Sequence, residues 1–157
     1  MTLPLVKIEM ETDPVAVLER KMVRILALHK ELNRILDAEY VAGMAYDPKS
    51  LKKLILRKQN CVNRFENLIR SMGEQLGIMA GRAMPYTMPK TLLNRVKMVQ
   101  GLTPQQEAVL FALANDLDQR HRELKTAASR NGLLFKNVLN RMSVTFKYVN
   151  HRNMGAP

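Results

Sequence analysis

Residues 103–150 read TPQQEAVLFALANDLDQRHRELKTAASRNGLLFKNVLNRMSVTFKYVN, and this stretch decides the fold. Leu110, Leu113, Leu117, Leu124, Ala128, Asn131, Phe135, Val138, Met142 and Val149 fall on one stripe at the helical period of about 100° per residue. The start is marked by Thr103-Pro104 with Gln106 at the third helical position. A threonine cap and a glutamine three residues on can satisfy each other's backbone N–H, and proline suits a first position whose N–H has no helical partner. The spacing predicts a helix over 104–150, roughly 70 Å long at 1.5 Å per residue.

Gly132 lies inside this pattern. Glycine in a helix interior is about 1 kcal/mol worse than alanine, so it predicts a kink, a break or the close approach of another backbone. Asn131 beside it suits a polar break in the stripe or a helix end. Beyond Gly132 further apolar residues, Leu133, Val144 and Tyr148, emerge on the side opposite the stripe. A helix that is apolar on two faces needs two partners. One face can pack on the rest of the fold, and the second can receive an amphipathic helix from another chain or make a homodimer.

Two further helices lie upstream. Asp13-Pro14 opens a helix over 14–43, with Leu18, Met22, Ile25, Leu32 and Leu36 on one face. Asp47-Pro48 repeats the device and opens a helix over 48–72, with Leu51, Leu54, Ile55, Val62, Phe65, Leu68, Ile69 and Met72 as its apolar face. The short link between them, residues 44–46, implies antiparallel neighbours. Residues 73–102, broken by Gly73, Gly77, Gly81, Pro85, Pro89 and Gly101, read as a long connection with one small helix near 89–99. Methionines 72, 79, 84, 88 and 98 in and beside it suit adaptable gap-filling better than a ligand surface.

The expected fold is all-α: one helical domain over 1–157, an elongated, coiled-coil-like antiparallel bundle of three long helices. Composition agrees, since aromatic residues make up only 5% and tryptophan is missing, which disfavours sheets. The first helix spans roughly 45 Å against roughly 70 Å for the last, so the end of the last should overhang.

Composition also narrows the function. The single cysteine, Cys61, has no intramolecular disulfide partner and reads as a core or boundary residue rather than a nucleophile. The first residues lack the pattern of a secretory signal, and no apolar run approaches the roughly 18 residues of a membrane span, so a cytoplasmic protein without membrane insertion is expected. His29, His121 and His151 have no metal-ligand spacing, and the glycines at 73, 77 and 81 lack a phosphate-loop ending. No catalytic constellation, metal site or cofactor is expected, and the chain reads as a binding protein rather than an enzyme.

The net charge of +11 is the composition signal that bears on partners. Lys49, Lys53, Arg57 and Arg64 cluster within about 80° of arc on the second helix. Such a stripe could line a phosphate backbone, but no aromatic residues are interleaved to stack on bases, so a solvated face is the better reading and nucleic acid the alternative. A self-associating scaffold is a further alternative.

The layout resembles the FlgN family of flagellar export chaperones, from about 14 to 150. The resemblance is carried by RELKTAASRNGLLFKNVLNRMSVTFKYV (122–149), with Asn131-Gly132-Leu133-Leu134 before an apolar-rich end. The hairpin of VAVLERKMVRILALHKELNRIL (15–36) and LKKLILRKQNCVNRFENLI (51–69) is also similar to that family's first two helices. The resemblance implies a non-enzymatic chaperone that holds the hook-associated proteins of the hook-filament junction unassembled and delivers them to the type III export apparatus. It also implies capture of substrate helices by the end of the last helix, here Leu133, Leu134, Phe135, Val138, Leu139, Met142, Val144, Phe146 and Tyr148.

Overall fold

A computed structural model describes residues 13–81 and 91–154, and their side-chain surroundings as far as 138 and at 140. Four helices follow in order: α1 (Pro14–Met44), α2 (Pro48–Met79), α3 (Leu92–Val96) and α4 (Pro104–Met154). No strand occurs among the described residues, and no helix among them is long and apolar enough to cross a membrane.

Each long helix starts where its cap residues dictate. The Val15 N–H donates to Asp13 Oδ1 at 3.0 Å. At α2 the Ser50 N–H and hydroxyl donate to the two carboxylate oxygens of Asp47 at 3.1 and 2.6 Å. At α4 the capping box is reciprocal: Gln106 N–H donates to Thr103 Oγ1 at 3.2 Å, and Thr103 N–H to Gln106 Oε1 at 3.0 Å. Between α1 and α2, Tyr46 takes a left-handed conformation, φ 52°, which lets the Asp47 N–H reach back to the Ala42 carbonyl at 3.0 Å. This bond closes α1 in the manner usually left to glycine.

Three elements depart from the sequence expectation. Instead of ending at 72, α2 runs seven residues further, through Gly73 and Gly77 to Met79. Tertiary contacts outweigh the glycine penalty: Met72 and Leu76 are buried, and the Gln75 amide donates to the Pro14 carbonyl at 2.6 Å while accepting from Lys21 Nζ at 2.8 Å. The expected connection over 73–102 is correspondingly shorter, and its methionines at 84 and 88 lie outside the described residues. Its small helix covers only Leu92–Val96. Five residues are too few to hold a helix alone, and Asp118 of α4 supplies the missing acceptors, taking the Leu92 and Leu93 N–H groups at 2.9 and 3.0 Å. Finally, α4 is helical without a break from 104 through Gly132 to 154, four residues beyond the expected end.

The described residues fall into two compact units, and α1, α2 and α4 each contribute to both. The first comprises the described residues of Met1–Leu28 and Arg64–Arg120. Its core is apolar: Leu18, Met22 and Ile25 of α1 meet Met72 and Leu76 of α2, Leu110, Ala114 and Leu117 of α4, and Val96 and Val99. Each of the buried Leu, Ile, Met and Val side chains contributes about 1.5–3 kcal/mol by removal from water. The second unit comprises the described residues of His29–Asn63 and His121–Pro157. Leu32, Ile35, Leu36 and Cys61 are buried there together with three polar side chains, His29, Glu39 and Asn131.

Candidate functional site

The candidate region begins at Asn131, which the helical period puts on the inward stripe of α4. The side chain is 2% exposed, and its Nδ2 donates to the carbonyl of Leu36 on α1 at 2.8 Å. That bond satisfies a polar group that would otherwise be costly to bury. Arg130 beside it donates to Asp37 Oδ1 at 3.1 Å and to Asn131 Oδ1 at 3.2 Å. Its guanidinium lies over the Tyr40 ring, 4.4 Å from the centroid. Asn131 therefore neither ends α4 nor breaks it; it fastens the helix to α1.

Gly132 is not a close approach. Nothing lies within 4 Å of the position a Cβ would occupy there, and the helix continues through it. The approach occurs at Gly43 of α1 instead, where a Cβ would sit 3.1 Å from both Leu134 Cδ2 and Phe135 Cε1. A hydrogen at Gly43 thus leaves room for the two apolar side chains that follow Gly132.

The residues expected to hold a partner separate accordingly. Leu134 and Phe135 are half-buried against α1, as is Val138 in its own surroundings, whereas Leu133 is 62% exposed. Among the described side chains beyond Gly132, Leu134 and Phe135 are covered by α1 and Leu133 stands open. Leu139, Met142, Val144, Phe146 and Tyr148 lie on the α4 backbone, and their side chains fall outside those described.

On α2, Lys49, Lys53, Arg57 and Arg64 are all exposed, as a solvated stripe requires. Lys53 and Arg57, but not Lys49 or Arg64, line an open cavity of about 680 Å³ in the second unit. Its walls come from the end of α1 and the start of α2, with Ala38, Val41, Ala42 and Leu54 among them. Asp47, also in the lining, has its carboxyl held below its ordinary pKa, first by the Ser50 hydroxyl and then by backbone N–H groups and the nearby Lys53 charge.

Two of the histidines, which lack metal-ligand spacing in the sequence, meet in the fold. His29 is buried, and its ring meets that of His121 edge-on with centroids 6.0 Å apart. Ninety-two positions separate them in the chain, a contact no local spacing rule could reveal. Cys61 is buried, and no cluster of metal-ligating side chains occurs among the described residues. Asn131 as a fastener and Gly43 as the point of approach were not legible as site features, because each depends on residues distant in sequence, and the cavity depends on how the end of α1 packs beside the start of α2. Compared with protein-family models, with curated proteins and with solved structures, the chain matches none.

Proposed function

We propose that this protein is a cytoplasmic, non-enzymatic chaperone of the FlgN kind, which captures helical segments of hook-associated proteins and delivers them to the flagellar type III export apparatus. The observation that carries the reading is the division of apolar side chains after Gly132: Leu134 and Phe135 are engaged by α1, while Leu133 is left 62% exposed. A helix held firmly on one side with an open apolar side is suited to helix-in-groove capture. The pairing of Pro14 and Lys21 with Gln75, and of Glu39 with Lys58, supports an antiparallel course for the first two helices of the proposed bundle.

The test is titration of a purified junction protein into the full chain and into Leu133→Glu, followed by calorimetry. Leu133→Glu should fold, since the side chain is already exposed, and should weaken binding by about tenfold or more. Removal of 139–157, which spares the Leu134 and Phe135 contacts, should abolish it. Unchanged affinity in both variants overturns the proposal. A second reading, self-association through the same open face, is favoured by the same exposure and is separated by sedimentation of the isolated protein.

A further inference from the structure

The outward face of α2 near its start combines two features, one of charge and one apolar. Residues 48–63 carry Lys49, Lys52, Lys53, Arg57 and Lys58 and no carboxylate. Lys58 is engaged by Glu39 at 2.8 Å, whereas Lys49, Lys52, Lys53 and Arg57 are exposed and form no ion pair among the described residues. Asp47, just before the helix, keeps its charge because the Ser50 hydroxyl and backbone N–H groups hold its pKa down, and it offsets Lys53 in part. The balance is still four exposed cations to one carboxylate. Among these cations two aliphatic side chains stand in water: Leu56 is 58% exposed and Ile55 50%. At about 100° per residue, Lys49, Lys52, Lys53 and Leu56 share about 100° of arc, with Leu56 between Lys52 and Lys53, and Ile55 borders the Lys52 edge. This arc is turned away from Leu54 and Cys61, the side of α2 that packs inward.

We infer that this face docks on the surface of a lipid bilayer rich in anionic headgroups, with the lysines at the phosphates and Leu56 among the upper acyl carbons. The helix lies on such a surface without crossing it, and no described helix is long and apolar enough to cross. Clustered lysines and arginines are drawn to an anionic leaflet, so the charge of the face is complementary to it. Leu56 and Ile55 select lipid over nucleic acid: a phosphate backbone takes up the cations but offers an aliphatic side chain nothing, and the arc holds no aromatic ring to stack on bases. Shape selects it over a partner helix. The outward side of a single helix is convex and meets a flat surface along its length, whereas a helix seats best in a groove. A second copy of a +11 chain would bring like charges together.

The test mixes the full chain with vesicles of phosphatidylcholine alone, or of equal parts phosphatidylcholine and phosphatidylglycerol, at physiological ionic strength, and reads the bound fraction by flotation. The anionic vesicles should carry the chain and the neutral ones should not. Lys52→Gln/Lys53→Gln should lower the partition coefficient about twentyfold, at about fivefold for each cation near the surface. Arg122→Gln/Lys125→Gln removes the same charge from exposed positions on α4 and should lower it less than about threefold, because charges more than about 8 Å from the surface are screened. Leu56→Gln, which keeps the charge and alters an exposed position, should lower it about fivefold. A short DNA duplex should be bound more weakly than the anionic vesicles. Leu133→Glu should float within about twofold of the parent, so failure of the chaperone reading leaves this surface standing. The inference is overturned if neutral and anionic vesicles carry the chain equally, if the two double variants lose partition equally, or if Leu56→Gln partitions as the parent does. It is also overturned if Leu133→Glu abolishes binding, or if the duplex is bound more tightly than the anionic vesicles.

Discussion

The two compact units bury different chemistry. In the first, the core cluster is wholly apolar, from Leu18 and Met22 to Leu110 and Leu117. In the second, His29, Glu39 and Asn131 are buried beside the apolar side chains, and Glu39 meets Lys58 at 2.8 Å. The cavity and the exposed Leu133 belong to this second unit as well. Apolar burial is strong and tolerant of register, whereas buried polar groups are costly unless each partner is in place. The first unit thus supplies apolar burial, while in the second the polar pairs fix which residues of α1, α2 and α4 face one another.

A cavity in the apolar core should be the most costly change. Leu110→Ala should cost about 2–5 kcal/mol in urea unfolding, against less than about 0.5 kcal/mol for Leu133→Ala. Similar losses at the two positions would remove the distinction between core and open face. Next comes the polar fastening. Lys58→Ala strands the Glu39 carboxylate, whose side chain is 3% exposed, and should cost about 2 kcal/mol. The double replacement Lys58→Met/Glu39→Met should recover most of that loss, because neither charge is then left buried alone. The smallest effect sharpens the contrast between two glycines. Gly132→Ala should raise stability by about 0.5–1 kcal/mol, since the position is helical and open. Gly43→Leu should lower it, because Leu134 and Phe135 already occupy the space. Thermal unfolding followed by circular dichroism orders the pair.

Leu133 and Phe135 mark how far the candidate site could be read from the chain alone. Their separation of two residues puts them on roughly opposite sides of a helix, so the two-faced character of this stretch follows from spacing. Which side would be covered does not follow from spacing, since that depends on Gly43, ninety positions earlier, being small. The basic stripe on α2 was equally legible, but its division into Lys53 and Arg57 at a cavity and Lys49 and Arg64 elsewhere depends on where α1 lies.

Local sequence fixes where the long helices begin. Asp13-Pro14, Asp47-Pro48 and Thr103-Pro104 form their caps within three residues, and such contacts need no other part of the molecule. The end of α2 and the anchoring of the end of α4 come instead from packing between helices. Gly73 and Gly77 read locally as breaks, yet Met72, Leu76 and Gln75 find partners that carry the helix past them. Asn131 and Gly132 likewise read as a fault in α4, until the Leu36 carbonyl and Gly43 make one a fastener and leave the other open. Backbone caps are satisfied by neighbours in the chain, whereas burial and close packing are satisfied only by neighbours in space.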